Sequence, residues 1–387
     1  MKNIYIAGTN ILSNLGFTTS ENMEALETGQ TALSAVNKPS VFLQSFYGAA
    51  IDTDLINDSF SALAHPKTYT RFEKMSILSI KDALRKSPVI GIESDTLFIF
   101  STTKGSIDVL DMQASAMLAK DRLNLWRSAE IISRFFDNTN TPLVVSHACI
   151  SGVLALITGA HMIRSKRYKH IVVCGTDIIT NFVVSGFQSF KALSETACKP
   201  FDKHRKGLNL GEGSGTIILT TEGEKPINKE HILLGSGFTA NDATHISAPS
   251  RTGSGLYQVM KRILKANEGV KSSNIDFISA HGTATLYNDD MEAQAITRSG
   301  LQTVPTNSFK GYWGHTLGAA GVIETAASVY AMHTNTLYKT AGFETSGTEA
   351  PINIISETKK HPLRTCLKLA SGFGGCNAGI LLQKDNA

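Results

Sequence analysis

Short β-branched runs, each followed by a longer apolar stretch at helical spacing, recur along this chain. Leu143, Val144 and Val145 make one such run and predict a buried strand. Residues 150–163 are apolar almost all round, with Ser151, Gly152, Gly159 and Ala160 between, which predicts a helix buried on every side. Residues 169–174 predict the next strand. Cys149 therefore falls on a strand-to-helix turn inside a β-α-β unit. The same patterns predict strands at residues 4–7 (with a turn at 8–10), 96–100, 216–220, 232–237, 275–280, 366–370 and 380–383. Helices are predicted at 20–28 (Ser20 as N-cap), 107–136, 253–267, 291–297 and 321–333. A further one, at 70–86, is amphipathic, with Phe72, Met75, Leu78, Ala83 and Leu84 on its apolar face.

Each half of the chain closes with a glycine-rich turn running into an apolar strand, GEGSGTIILTT and GFGGCNAGILLQ. This reads as an internal pseudo-repeat of a β-α-β-α-β plan. Two such halves, stacked, make layers of helix and mostly parallel sheet. The charged connector at residues 222–230 is the best boundary, giving domains at 1–226 and 227–387. The glycine-rich turns precede strands rather than helices and do not spell GxGxxG, so a dinucleotide fold is excluded.

Composition narrows the class. Of 387 residues, 42% are hydrophobic and 18% charged, enough for a large core. The net charge of +4 is too small to argue for nucleic acid, yet suits a weakly basic patch for an acidic partner. Five cysteines, odd in number and without CxxC spacing, argue against a disulfide framework or zinc knuckle. No signal peptide or apolar run of membrane-spanning length is apparent, so a soluble, cytoplasmic protein is expected.

Cys149, at the predicted helix N-terminus, is exposed to unpaired N–H groups and the helix dipole, which favour a thiolate and lower its pKa. Position alone favours an inert buried cysteine. Two histidines change the balance. His281 follows the strand at 275–280, and His315 opens the apolar helix of GHTLGAAG. Imidazole donors can polarise the substrate of a thiolate and stabilise developing charge. Lys310 stands five residues before His315, where a cation biases protonation or simply meets solvent.

These residues carry a resemblance. HACISG, PFDKHRKGLNLGEGSG, NDATHISAP, HGTATLYNDDMEA, SFKGYWGHTLGAAGVIE and GFGGCNAG, in that order, resemble a β-ketoacyl-acyl carrier protein synthase of the Cys-His-His type. The resemblance implies the thiolase fold, duplicated β-α-β-α-β halves in a five-layered α-β-α-β-α arrangement. It implies Cys149 as acylated nucleophile. His281 and His315 would assist malonyl decarboxylation, Lys310 would support His315, and Glu324 would hold that lysine. Phe373 would share an oxyanion hole with Cys149 and gate the pocket. Thr283 and Thr285 would bind the phosphopantetheine arm, and Asp242 and His245 would lie in a second gating loop. No bound cofactor or metal is implied, since 4'-phosphopantetheine arrives on the carrier protein.

The implied partners are acyl- and malonyl-loaded acyl carrier protein, plus a second copy or a chain-length-factor-like subunit. Neither nucleic acid nor a membrane span is implied. Lys67, Arg71, Lys74 and Arg205 are the candidate docking cations. A non-catalytic chain-length-factor-like role is the alternative, and a simple acyltransferase or thioesterase using Cys149 is a third reading. Departures from the family pattern include Cys376 for threonine, Leu286 for proline, Leu208 for phenylalanine, His147, and bulky Tyr312 and Trp313. They suggest a specialised polyene or aryl-polyene substrate.

Overall fold

The computed structural model describes residues 3–37, 42–89, 92–110, 120–221, 231–245, 248–267 and 270–385. The β-branched runs pair into one sheet of ten strands. The first half supplies β1 (Tyr5–Leu12), β2 (Thr96–Ser101), β3 (Leu143–Val145), β4 (His170–Asp177) and β5 (Gly213–Thr220). The second supplies β6 (Ile232–Asn241), β7 (Phe277–Ser279), β8 (Thr306–Asn307), β9 (Thr365–Gly372) and β10 (Cys376–Lys384). Their order across the sheet is β8-β7-β9-β10-β6-β1-β5-β4-β2-β3. Within each half the strands run third, second, fourth, fifth, first, so the predicted repeat is a repeat of topology.

Each half joins its third, second and fourth strands in parallel, and its fourth, fifth and first antiparallel. The sheet is thus mixed rather than mostly parallel. In the second half the cause is visible: the GFGG turn between β9 and β10 is a tight hairpin, and so short a link joins only antiparallel strands. The halves meet where β1 and β6 pair antiparallel at Tyr5 and Leu233.

The helices sort by their apolar faces. α1 (Arg71–Arg85) is amphipathic, with a capping box between Thr70 and Glu73, and covers β1, β4 and β5. α2 (Ser151–Arg164) and α5 (Ala320–Thr334) carry apolar or small residues on most sides, and each touches strands of both halves. α3 (Ser254–Ala266) covers β6 and β10, and α4 (Leu286–Arg298) packs beside it. Three main apolar clusters follow: one around α2 and α5, one under α1 and one under α3. Helix, first-half strands, central helix pair, second-half strands and helix make the five layers of a thiolase fold, the two halves of the sheet lying on either side of the central pair. Among the described residues, no helix is long and apolar enough to cross a membrane.

Several local expectations need correction. β1 continues to Leu12 through Gly8–Asn10, absorbing a register shift between Ile6 and Gly8. Gly8 marks close packing, not a turn: a Cβ there would lie 2.7 Å from the Ala83 carbonyl oxygen. The helix expected at 20–28 is Thr19–Glu27, capped by Thr18, whose side chain accepts the Glu21 N–H while Glu21 answers the Thr18 N–H. Residues 107–136 are not one helix; 3-10 turns at Ile107–Leu110 and Lys120–Leu123 precede a helix at Leu125–Phe135. The connector at 222–230 lies outside the described residues.

α2 and α5 meet backbone to backbone. A Cβ on Gly152 would lie 2.7 Å from the Val322 nitrogen, and one on Gly321 would lie 2.5 Å from the Val153 nitrogen. Gly152→Ala or Gly321→Ala should therefore cost about 1–3 kcal/mol by overpacking. Urea denaturation midpoints test this, and an unchanged midpoint would show that the helices can slide apart freely.

Candidate active site

Cys149 sits on an elbow between β3 and α2. Ala148 before it adopts φ +44°, a left-handed conformation unfavourable for alanine. Ser151 staples the bend: its hydroxyl donates to the Ala148 carbonyl at 2.7 Å and accepts the His147 N–H at 2.7 Å. His281 follows β7, and Glu292 on α4 clamps it by accepting the N–H groups of His281 and Gly282 at 2.7 and 2.6 Å. His315 follows Gly314, which has φ +73°. Its N–H donates to the Asn209 carbonyl at 2.7 Å, and its carbonyl accepts the Gly211 N–H at 3.1 Å. The glycine-rich loop thus forms the backing of His315.

Three groups converge here. His315 Nε2 lies 3.1 Å from Cys149 Sγ, and the two imidazoles meet edge to face at 5.0 Å. His315 Nδ1 accepts the Leu317 N–H at 3.2 Å. With that lone pair engaged, a neutral ring carries its proton on Nε2, facing the sulfur. His281 Nδ1 lies 3.1 Å from the Lys310 ammonium, which assigns its proton to Nε2 as well. Burial, then the Lys310 charge, hold both imidazoles well below the usual histidine pKa, so both are neutral N–H donors at pH 7. Sγ and ring nitrogens lie within 4.8 Å of one another. A metal beside Sγ would need lone pairs on the Nε2 atoms, and with both Nδ1 atoms accepting, the Nε2 atoms carry the protons instead.

The thiol behaves against expectation. Burial, reinforced by Cys376, pushes the Cys149 pKa up to about 12, and the charges of Lys310 and Lys104 only partly offset this. The helix N-terminus does not decide the matter, because its contribution is typically about 0.3–1 kcal/mol, less than the desolvation of a buried anion.

Lys310 supports His281, not His315. Its ammonium donates to His281 Nδ1, to the His281 carbonyl at 2.5 Å, and to Glu324 Oε1 at 2.6 Å. Glu324, on α5, does hold that lysine. Its other oxygen lies 2.6 Å from Lys368, a fully buried lysine in the middle of β9. Lys368 went unread in the sequence, although a lysine inside the apolar run CLKLA is a visible signal.

A cavity of about 410 Å³ opens from these groups, lined among others by Thr283, Thr285, Asp242, Leu208, Leu286, Phe373 and Cys376. The Thr283 and Thr285 hydroxyls bond each other at 2.8 Å. Asp242 braces its loop, accepting the Gly255 and Ser250 N–H groups at 2.7 and 3.2 Å. His245 is not part of the cavity wall; its ring accepts the Ala248 N–H at 3.2 Å. Phe373 occupies the tip of the β9–β10 hairpin, stacked on Phe187 and edge-on to Phe190. Tyr312 and Trp313 are wholly buried outside the cavity wall, so their bulk bears on packing rather than on substrate.

Two of the four docking candidates are buried, and a third, Arg71, is partly buried and paired. Arg71 is bonded to Glu212 and to the Ile51 carbonyl. Lys74 is buried against Asn57 at 2.6 Å. Arg205 is buried, paired with Asp290 at 3.0 Å. Amphipathic spacing cannot tell a solvated cation from one paired inside. Lys67 is exposed. The exposed cations in the cavity wall are Lys191 and Lys206, which the sequence reading missed.

A cysteine on a strained elbow, faced by two neutral imidazole donors within a duplicated five-layer fold, defines a condensing enzyme of the thiolase type. Comparison with known proteins narrows the class. Residues 1–225 match the family described as "Beta-ketoacyl synthase, N-terminal domain", and residues 231–344 match "Beta-ketoacyl synthase, C-terminal domain". The putative mitochondrial 3-oxoacyl-acyl-carrier-protein synthase of Schizosaccharomyces pombe is 29% identical over 349 residues, 81% of each chain. The tetracenomycin polyketide synthase ketoacyl synthase alpha subunit of Streptomyces glaucescens is 26% identical over 417 residues, 99% of this chain and 97% of that one. Among solved structures, the ishigamide ketosynthase/chain length factor shares the fold, with a TM-score of 0.88 at 22% identity, covering 100% of both chains. The chain belongs to the beta-ketoacyl synthase family and is a 3-oxoacyl-acyl carrier protein synthase, an acyltransferase of fatty acid or polyketide elongation.

A thiol held at about pKa 12 is alkylated through a scarce thiolate. In the free enzyme, the iodoacetamide rate at Cys149 should keep rising with pH, close to tenfold per unit, through neutrality to at least about pH 9. Mass spectrometry of the Cys149 peptide reads the rate. A plateau near pH 7 would contradict the burial argument.

Proposed function

We propose that Cys149 is the acylated nucleophile and that His281 and His315 together hold the thioester oxygen of the malonyl unit. The convergence of two Nε2–H donors on the space beside Sγ carries this reading. In the first half-reaction Sγ attacks the acyl thioester, the carrier thiol leaves with the proton, and an acyl-Cys149 thioester remains. In the second, the bond between the malonyl carboxylate and the α-carbon breaks. Carbon dioxide departs and the electron pair passes into an enolate. That oxygen becomes the costly anion, and two neutral donors pointing at it strengthen as charge develops. The enolate carbon then attacks the acyl carbonyl, and Cys149 leaves as thiolate. The backbone N–H groups of Cys149 and Phe373 are proposed as the second oxyanion hole. Gly372 supports this: a Cβ there would lie 3.0 Å from the Cys149 nitrogen, so the hairpin tip crowds the elbow.

Thr283 and Thr285 are proposed to bind the phosphopantetheine arm, since both line the cavity. Acyl carrier protein is proposed to dock at its mouth, where Lys191 and Lys206 offer charge and Leu286, Tyr287 and Phe190 offer exposed apolar surface. β3 lies at the sheet edge, and exposed Trp126 stands on the helix Leu125–Phe135 that packs against it, supporting a dimer through that edge with a second copy or a chain-length-factor-like subunit. The division at 226/227 is supported by the repeated strand order and by family matches that end at 225 and resume at 231. Five unpaired cysteines support a reducing compartment such as the cytoplasm. A conjugated polyene or aryl acyl chain would suit the aromatic faces of Phe187, Phe190 and Phe373 at the cavity wall.

Intact-mass analysis with a panel of acyl carrier proteins, followed by malonyl carrier protein, tests the reading. Wild type should gain an acyl adduct and release a chain two carbons longer; Cys149→Ala should gain none. An adduct-free wild type would favour the non-catalytic partner role. Replacing Lys191 and Lys206 together by glutamate should lower kcat/KM for acyl carrier protein about tenfold and blunt its salt dependence, with kcat nearly unchanged. Steady-state kinetics at two ionic strengths decide that.

A further inference from the structure

The second buried lysine has no part in the chemistry described above. Lys368 is fully buried in β9. Its ammonium lies 2.6 Å from Glu324 Oε2 and donates to the Leu369 carbonyl at 2.7 Å. It also donates to the Ser279 and Ala280 carbonyls, both at 3.3 Å, the last two before His281. Glu324 therefore serves two lysines, one on each oxygen, and the group carries a formal charge of +1. An unbalanced charge is costly to bury unless something nearby uses it.

We propose that Lys368 is a positioning residue that keeps the Lys310–Glu324 pair from neutralising itself, so that a net positive charge stands behind His281. The inference rests on the condensation reading above and deepens it. Without Lys368, Glu324 would cancel Lys310, and burial would be left to oppose a second proton on the imidazole with less help from charge. With it, Lys310 stays cationic against Nδ1, and Nε2–H remains a neutral donor toward the cavity. The surplus charge stands behind the ring whose Nε2–H faces the enolate anion, and it is present before the reaction begins.

The other groups facing His281 are consistent with this assignment. His315 stands edge-on to it. Glu292 on α4 accepts its N–H and sits beside Asp289, which accepts the Phe201 and Thr283 N–H groups. Burial and Asp289 push the Glu292 carboxyl up to about 7, so it is a weak counter-charge on the far side. The positive charge reaching the Nδ1 edge comes from Lys310, with Lys368 behind it.

The experiment measures malonyl carrier protein decarboxylation from pH 5.5 to 8.5, alongside acylation of Cys149 by acyl carrier protein. In wild type, decarboxylation should show no inflection in the ordinary imidazole range near about pH 6.5. Lys368→Met leaves the group neutral. Its decarboxylation should gain an acid limb and fall about twofold or more at pH 5.5, because half of the neutral form is lost where the pH meets the imidazole pKa. Acylation should change less than about threefold. Lys368→Met combined with Glu324→Gln restores the charge of +1 and should remove the acid limb. A merely structural lysine would not be rescued by discarding its partner's charge.

An acid limb in wild type or in the double variant overturns the proposal, as does an equal loss of both half-reactions in Lys368→Met without a change of profile. If Lys368→Met alone fails to fold, wild type and the double variant decide. A wild type that forms acyl-Cys149 but never decarboxylates malonyl carrier protein defeats the underlying functional reading instead, which is a distinct result.

Discussion

The backbone of Gly152 touches the backbone of Gly321, and the active site is built outward from that contact. Each glycine is the second residue of its helix. Three residues before Gly152 stands Cys149, and three after Gly321 stands Glu324. Glu324 orders Lys310, Lys310 orders His281, and the loop preceding α5 delivers His315 to the sulfur. A side chain at either glycine would meet the facing backbone and press apart the two helix starts that carry these groups. The surrounding layers hold this crossing by packing: α2 and α5 are sandwiched between two half-sheets and have no freedom to part.

Burial gives the site one consistent electrostatic character. It favours the thiol over the thiolate at Cys149 and the imidazole over the imidazolium at both histidines. The reacting groups therefore rest neutral, and the permanent charges are held one layer back, in Lys310, Glu324 and Lys368. When negative charge appears on substrate it meets oriented N–H dipoles in a setting that screens them weakly.

Much of this was legible in the chain. Strand β3 and helix α2 follow from their apolar runs, and the nucleophile and both histidines stand at element boundaries, where polar chemistry meets apolar scaffold. What was missed shares a physical cause: pairing between distant segments. Lys310 was assigned to His315, its neighbour in sequence, but His281 is its neighbour in space. Arg71, Lys74 and Arg205 look like surface cations until Glu212, Asn57 and Asp290 are seen beside them. The lowered thiol pKa expected from the helix end gave way because depth of burial is a property of the whole fold. Gly8 read as a turn because only the structure shows α1 pressing on it.

The repeated strand order has a geometric corollary. β1 and β6, equivalent in the two halves, pair antiparallel with each other, and the equivalent glycines of α2 and α5 touch. Both facts require an approximate twofold axis running through the crossing. Points near a twofold axis lie near their own images. Cys149 precedes α2 after the third strand of its half, and His315 precedes α5 after the third strand of the other. The thiol and the imidazole thus leave corresponding turns of the two halves, so a nearly symmetric scaffold presents two unlike groups to each other across its axis.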